Sequence, residues 1–111
     1  MAEDASEAGQ GGQAEDTELQ LAVHRFSNEV FSLAKEYVTG KDTEAVKSRA
    51  RDLEPRVPEF GARAQAAPPE IRPDLNRVLS DARLDLDYIL ADGNRPSSTR
   101  LYYFLSDQKQ S

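Results

Sequence analysis

Apolar residues recur along most of the chain at alternating intervals of four and three, the spacing of a helix that packs on one face. The first stripe occupies about residues 16–39, where Asp16 or Thr17 can cap the helix and Gly40 can end it. A flanking set spaced by seven lies beside it, so this helix needs at least two neighbours. The stripe comprises Leu19, Val23, Phe26, Val30, Leu33 and Tyr37, and the flanking set comprises His24, Phe31 and Val38.

A second stripe begins with the stretch KDTEAV, where Asp42 or Thr43 is the predicted cap. Pro55 and Pro58 lie within it, and a proline inside a helix removes a hydrogen bond and clashes with the preceding turn, at a cost of ~3 kcal/mol. The sequence therefore predicts a kink, or two shorter helices, with the change between Glu54 and Pro58. The stripe comprises Val46, Ala50, Leu53, Val57, Phe60 and Ala64.

A third helix is predicted for about residues 69–92, and a fourth, shorter one for the stretch SSTRLYYFLSDQ. Gly93 suits a left-handed cap at the end of the third helix, and Ser97 or Ser98 can cap the fourth. No segment alternates as a strand would. Residues 16–111 are therefore predicted to form one all-α domain, an up-and-down bundle of three to four helices. The core face of the third helix comprises Ile71, Leu75, Val78, Leu79, Ala82, Leu86, Ile89 and Leu90.

The charges support one pairing of the first two helices. If these helices are antiparallel, a single register pairs their apolar layers, and it also brings Glu36 opposite Arg49 and Glu29 opposite Arg56. An exposed ion pair contributes only ~0.2–1 kcal/mol, so the agreement of two independent patterns matters more than the energy. The sequence predicts an antiparallel hairpin in this register.

The excess of negative charge lies at the start of the chain. Residues 1–18 hold six acidic and no basic side chains, which accounts for the whole net charge of −6. Because this stretch is also rich in Gly, Ala and Gln, residues 1–15 are predicted to be a disordered acidic tail that the fold does not need. The tail is interpreted as a linker or solubility segment, with a specific docking arm as the alternative.

The composition excludes several function classes. There is no cysteine, which rules out disulfides, thiol catalysis and cysteine metal sites. The sequence contains no run of ~18 apolar residues, the length that could span a membrane. It also contains no glycine-rich phosphate loop. Without a signal peptide, the sequence as written suits the cytoplasm, or an exported protein whose targeting segment lies outside it.

The polar candidates each have an ordinary structural explanation. His24, the only histidine, is expected to be a half-buried structural residue, so no metal site is predicted. Asp81 and Asp85 share a helical face, but Arg77 and Arg83 can neutralise them and give a solvated, salt-bridged surface. No catalytic residue or cofactor is predicted. A seven-residue repeat of arginines could suggest nucleic acid, yet the neutral domain and acidic tail argue against that partner; the repeat is Arg49, Arg56 and Arg63.

The stretch RLYYFLSD places three aromatic residues together near the end of the chain. On a helix, Leu101, Phe104 and Leu105 share the apolar face. Tyr102 lies at the rim of that face, and Tyr103 points nearly the opposite way. Because the segment is shorter than an isolated helix needs, it is predicted to dock on the bundle with Phe104 buried and Tyr103 exposed. The alternative is a helix that docks into a partner's groove.

The charges of this segment also oppose the helix dipole, with Arg100 in its first turn and Asp107 in its last. Only a covering surface would therefore hold it as a helix. Leu84 and Tyr88 lie opposite the core face of the third helix, and they are the predicted covering surface.

These features predict a non-enzymatic helical bundle that binds another protein as an assembly or regulatory factor. Homo-oligomerisation stays open. The alternative is a small-ligand carrier with an apolar pocket between helices, lined by Phe26, Phe31, Phe60 and Tyr88. The candidate partner-binding residues are Tyr103, Tyr102, Arg100, Leu84 and Tyr88.

The stretch AQAAPPEIRPDLNRVL, residues 64–79, is an Ala- and Pro-rich linker that leads into an amphipathic helix. It resembles the loop-to-helix segment of many small exported helical lipoproteins of actinobacteria. The resemblance implies export, a lipidated cysteine that this sequence does not contain, and an unstructured tail that acts as a tether. It implies no shared catalytic residues.

Overall fold

Five helices account for most of the described chain, and no strand occurs among its described residues. The computed structural model describes the backbone of residues 2–40 and 42–110, and the side chains of residues 16–40 and 42–108. The predicted all-α bundle is confirmed. The backbone of the first helix begins at Ala2, ahead of the predicted start near residue 16, and so includes the stretch predicted as a tail. The side chains of residues 1–15 lie outside the described part, so the prediction that the fold does not need this stretch stays a prediction. The helices are α1 (Ala2–Val38), α2 (Thr43–Leu53), α3 (Arg56–Gln65), α4 (Arg72–Leu90) and α5 (Thr99–Gln110).

The second predicted helix is divided into α2 and α3 at Glu54 and Pro55. Pro55 lies at the N-cap of α3, and Pro58 lies in the first turn of that helix, where a backbone N–H would have no intrahelical partner. The break thus moves both prolines to positions that tolerate them. The Val57 N–H donates to the Glu54 carbonyl at 3.1 Å, so one tight turn joins the two helices. The predicted break between Glu54 and Pro58 is confirmed.

The predicted apolar stripes form the core that the helices share. All members of the second stripe are buried, and so are those of the first stripe except Tyr37, which is half-buried. Phe26 of α1 meets Phe60 of α3 with ring centroids 5.3 Å apart in a tilted arrangement, within the distance range of interacting aromatic pairs. α1 contacts all four other helices and shares its most extensive interface with α4. The core is therefore built around α1.

The hairpin of α1 and α2 has the predicted register near its connecting loop. Arg49 Nη1 lies 3.5 Å from Glu36 Oε2, which confirms that pair. The predicted pairing of Arg56 with Glu29 is wrong, because the Arg56 guanidinium lies over both rings of the phenylalanine pair, 5.4 and 5.3 Å from their centroids. Since the helix is broken just before Arg56, this side chain follows the direction of α3 and no longer the register of α2.

Contacts at both ends of α4 show that it runs parallel to α1, as an up-and-down bundle requires. Near the start of α4, His24 Nε2 lies 3.0 Å from Asp74 Oδ2, and His24 is half-buried as predicted. Beyond its end, the Tyr37 hydroxyl donates to Asp92 Oδ1 at 3.1 Å. The hydrogen bond with His24 lowers the pKa of Asp74, since it favours the charged carboxylate.

α4 ends at Leu90, two residues before the predicted end, and Gly93 has the predicted left-handed conformation, as does Asp92 before it. Asp92 has a φ of 55° and Gly93 a φ of 78°. The Gly93 N–H donates to the Tyr88 carbonyl, and the Asp92 N–H donates to a carbonyl in the last turn, which together make a Schellman cap. Asp tolerates this backbone region better than most residues. The Asp92 carboxylate also pairs with Lys47 and accepts from Tyr37, so one loop residue joins α1, α2 and α4.

Gly61 lies inside α3, and a Cβ added there would meet nothing within 4 Å. Gly61→Ala is expected to stabilise the domain by ~1 kcal/mol, because Ala has the higher helix propensity and no neighbour opposes the methyl group. Gly40→Ala is the matched control: the space is equally open, but the φ of 79° strains any side chain, so this change should destabilise. Urea denaturation of both variants checks the two signs. A loss of stability in Gly61→Ala would contradict the expectation.

Candidate partner-binding surface

α5 docks against the bundle through its first turn. Leu101 is fully buried, whereas Phe104 and Leu105 are half-buried at the edge of the core. Tyr102 and Tyr103 are 60% and 63% exposed. The predicted docked helix and the exposure of Tyr103 are confirmed. The predicted burial of Phe104 is wrong, because α5 packs mainly on the single helix α1 and only its first turn is enclosed.

A buried carboxylate lies beneath the start of α5. Asp85 of α4 is wholly buried, and its Oδ1 accepts hydrogen bonds from Ser98 Oγ at 2.6 Å and from the Ser98 N–H at 3.3 Å. Its Oδ2 accepts from Arg100 Nε at 3.0 Å and lies 2.9 Å from Arg100 Nη2. We call these three residues the Asp85 cluster. The prediction that Asp85 lies on a solvated face is wrong.

The two arginines that were expected to neutralise this face have other partners. Arg77 Nη2 lies 2.7 Å from Asp74 Oδ1, and Arg83 Nε lies 3.9 Å from Asp87 Oδ2. Asp85 belongs instead to the buried side of α4, and its spacing from the apolar residues of the core face indicates this in the sequence. Residues spaced by four, three and four along the core face are Val78, Ala82, Asp85 and Ile89, all of them buried.

Ser98 caps α5, as predicted for one of two serines. Its Oγ accepts the Leu101 N–H at 3.3 Å and donates to Asp85, so the cap and the carboxylate form one network. Negative charge near a helix N-terminus is favourable, which compensates for Arg100 in the first turn. Burial raises the pKa of the Asp85 carboxyl, while the donors on Ser98 and Arg100 act in the opposite direction.

The contacts of Arg100 are internal. Its Nη2 donates to the Ser27 carbonyl of α1 at 3.1 Å, and its guanidinium lies 4.7 Å from the Phe31 ring centroid. Only 24% of the side chain is exposed. Arg100 therefore joins α5 to α1 and α4, and the prediction that it faces a partner has no support in its surroundings.

The rings of Tyr102 and Tyr103 form an exposed aromatic surface, which we call the tyrosine patch. Their centroids are 5.7 Å apart and their planes meet at 72°, an edge-to-face arrangement that aromatic rings favour. Tyrosine combines a large apolar ring with a hydroxyl and has few rotatable bonds, so it is enriched at protein interfaces. The patch is therefore the candidate binding surface that the structure leaves accessible.

Leu84 and Tyr88 do not cover α5 as predicted. Tyr88 packs edge-on against Tyr37, with ring centroids 6.1 Å apart. Leu84 lines an open cavity of about 470 Å³ between α3 and α4, together with Val57 and Gly61. These two residues therefore face α1 and α3, and of the five predicted site residues only the two tyrosines of the patch come together.

Leu101→Ala is expected to lower the free energy of unfolding by ~2–5 kcal/mol, because its side chain is fully buried. Phe104→Ala should cost clearly less, although it removes the larger group, because Phe104 is only half-buried. Tyr103→Ala is the control that should leave stability nearly unchanged. Urea unfolding of the three variants gives the order. A larger loss for Phe104→Ala than for Leu101→Ala would refute the placement of α5.

The raised pKa of Asp85 gives the stability a definite pH dependence. A carboxyl whose pKa is higher in the folded chain favours folding when protonated, so its contribution is complete below the unfolded value of ~3.9 and is lost as pH rises through the folded value. The unfolding free energy of the wild type minus that of Asp85→Asn should therefore decrease as pH rises above about 4.

Asp74 and Asp92 have lowered pKa values and act in the opposite direction. Their contributions are present in both proteins, so they cancel in the difference between wild type and Asp85→Asn. Urea titrations at several pH values measure that difference. An increase of the difference with pH would contradict the raised pKa of Asp85.

Among the described residues, every helix is too short or too polar to span a lipid bilayer.

Comparison with known proteins suggests no function for the tyrosine patch, so its function has to be argued from its own geometry. No protein-family model, curated protein or solved structure matches the chain.

Proposed function

We propose that this chain is a non-enzymatic binding module whose tyrosine patch docks to another protein, in the role of an assembly or regulatory factor. The observation that carries the proposal is the exposure of two adjacent tyrosine rings, 60% and 63%, on a helix whose opposite face is anchored. Covering apolar surface is favourable by ~25 cal/mol per Å². A partner that covers both rings would therefore gain more than it would on an ordinary charged surface.

The anchoring of α5 supports this role. Leu101 is buried on one side of the helix, and the Asp85 cluster holds its first turn. Both rings are consequently held in one position relative to α1. Because a preformed surface loses less conformational entropy on association, a partner could bind it without first ordering the helix.

The polar groups of the described chain support a non-enzymatic role. The Asp85 cluster joins α5 to α4, Asp92 joins the ends of three helices, and Asp74 joins His24 of α1. Each of these carboxylates already has partners within the fold. A catalytic group needs a place for a reacting atom beside it, whereas the hydrogen bonds and ion pairs of these carboxylates are made to neighbouring helices.

A small-ligand carrier is the alternative, and it has weaker support. Phe26 and Phe60 contact each other directly. Phe31 lies beneath the cations of Lys35 and Arg100, each 4.7 Å from the ring centroid. A ligand in the predicted pocket beside Phe26, Phe31 and Phe60 would have to separate these groups, whereas the tyrosine patch is available without rearrangement.

Affinity capture with the full chain tests the proposal. The wild type is compared with the double variant Tyr102→Ala/Tyr103→Ala and with Leu21→Ala, a matched control because Leu21 is also exposed, 49%, but lies on α1. The wild type and Leu21→Ala should retain the same protein. The double variant should bind that purified protein about tenfold or more weakly, a loss of ~1.4 kcal/mol, with an unchanged melting temperature. Equal binding by all three chains would refute the role of the patch.

The compartment of the partner is a separate proposal. It rests on the resemblance of residues 64–79 to exported lipoproteins, which would place the partner in the cell envelope. Capture from separate cytosolic and envelope extracts distinguishes the two locations. A partner found only in the cytosolic extract would refute export without affecting the role of the patch.

A further inference from the structure

α5 is attached to the bundle through few contacts, and these lie near its start. Of its described side chains only Leu101 is fully buried, and Ser98 and Arg100 add the links to Asp85. From Tyr102 onward the described side chains are half-buried or exposed. We infer that α5 folds and docks as one unit, that it can leave the bundle while α1–α4 stay folded, and that the Asp85 cluster is the latch that holds it.

Helix formation in α5 depends on docking. Its 12 residues are at the lower limit of ~12–15 residues for an isolated helix in water. Its cap is Ser98, whose hydroxyl is held by Asp85. Arg100 opposes the helix dipole unless that carboxylate is close. When α5 leaves the bundle, the Ser98 hydroxyl loses its hydrogen bond to Asp85, and Arg100 loses the nearby negative charge. Undocking of α5 and loss of its helix are therefore one event.

The other helices can stay folded without α5. Apart from Leu101, all the buried apolar side chains of the core precede residue 90. The connection over residues 91–98 is non-helical and contains Gly93 and Pro96. Asp92 is tied to α1 and α2 through its carboxylate, so the hinge lies between that residue and Ser98. Movement of α5 about this hinge does not require α4 to unwind.

When α5 leaves the bundle, no unpaired charge stays buried in the core. Asp85 and Arg100 both become accessible to water when α5 leaves. Ser27, whose carbonyl accepts from Arg100, also has a buried hydroxyl without a hydrogen-bond partner among the described residues, and water can reach it in that state. Burial of Leu101 and the hydrogen bonds of the Asp85 cluster favour docking, while hydration of the separated polar groups lowers the free-energy cost of release. These opposing contributions make α5 the separable element of the bundle.

Release would also dismantle the tyrosine patch, because the two rings stand in their fixed arrangement only on the docked helix. The latch would then regulate the surface proposed above to bind a partner. The inference itself does not depend on that function, since it concerns only the order in which parts of the chain open.

Amide hydrogen exchange of the full chain tests the separability of α5 without any substitution. The amides of residues 101–108 should exchange at one common rate, about tenfold or more faster than the buried amides of α1 and α4. Their exchange should also depend less steeply on urea, because less surface becomes exposed. Exchange of α5 at the rate and with the urea dependence of the slowest core amides would overturn the inference, since α5 would then open only when the whole domain unfolds.

Asp85→Asn tests the latch, and Asp81→Asn is the matched control, one turn away on the same helix and outside the cluster. Asp85→Asn should accelerate exchange of α5 by about tenfold or more and leave the core amides of α1 and α4 unchanged. Asp81→Asn should do neither. Equal acceleration throughout the chain, or no change in α5, would overturn the latch. The expected exchange pattern without any captured partner would refute only the proposed function.

Discussion

The two apolar seams of α1 are the constraint on which the rest of the bundle depends. A helix with a single stripe can lie on one neighbour, whereas α1 contacts all four other helices. Its main stripe packs with α2, α3 and α4, and the flank that carries Phe31 is covered by Arg100 at the start of α5. Each later helix is placed by the part of α1 that it covers. The short α5 helix therefore docks where the second seam would otherwise face water.

The buried ion pair of Asp85 and Arg100 fixes the position of α5 on the bundle more than it stabilises the domain. Removing both charges from water costs free energy that their attraction offsets only in good geometry, so such a pair adds little net stability. Its geometry is nevertheless demanding, because Asp85 accepts from Ser98 as well as from Arg100. A slip of α5 by one turn would leave a buried carboxylate without these donors. The cluster therefore favours a single register of α5, and this register sets where the tyrosine patch lies.

The outer face of α5 carries two exposed aromatic rings. A helix whose only role was to cover α1 would carry polar residues on its outer face, yet Tyr102 and Tyr103 stand there with their rings in mutual contact. Leu101 on the inner side and the two tyrosines on the outer side are carried by the same three consecutive residues. Docking and presentation of the patch are consequently properties of one short segment, so loss of docking removes the patch as well.

The helices, their apolar faces, the break at the prolines and the exposure of Tyr103 could all be predicted from the sequence, because they depend on local periodicity and on backbone chemistry. The burial of Asp85 and its pairing with Arg100 could not be predicted in this way. Asp85 follows the spacing of the core, but a carboxylate is tolerated there only because Ser98 and Arg100, 13 and 15 residues away, supply its hydrogen bonds. Likewise, Leu101 rather than Phe104 is the core residue of α5 because that helix has one main neighbour. The sequence by itself determined which segments are helical and which faces are apolar. Only the tertiary structure decided which polar groups are buried, since burial depends on partners that are distant along the chain.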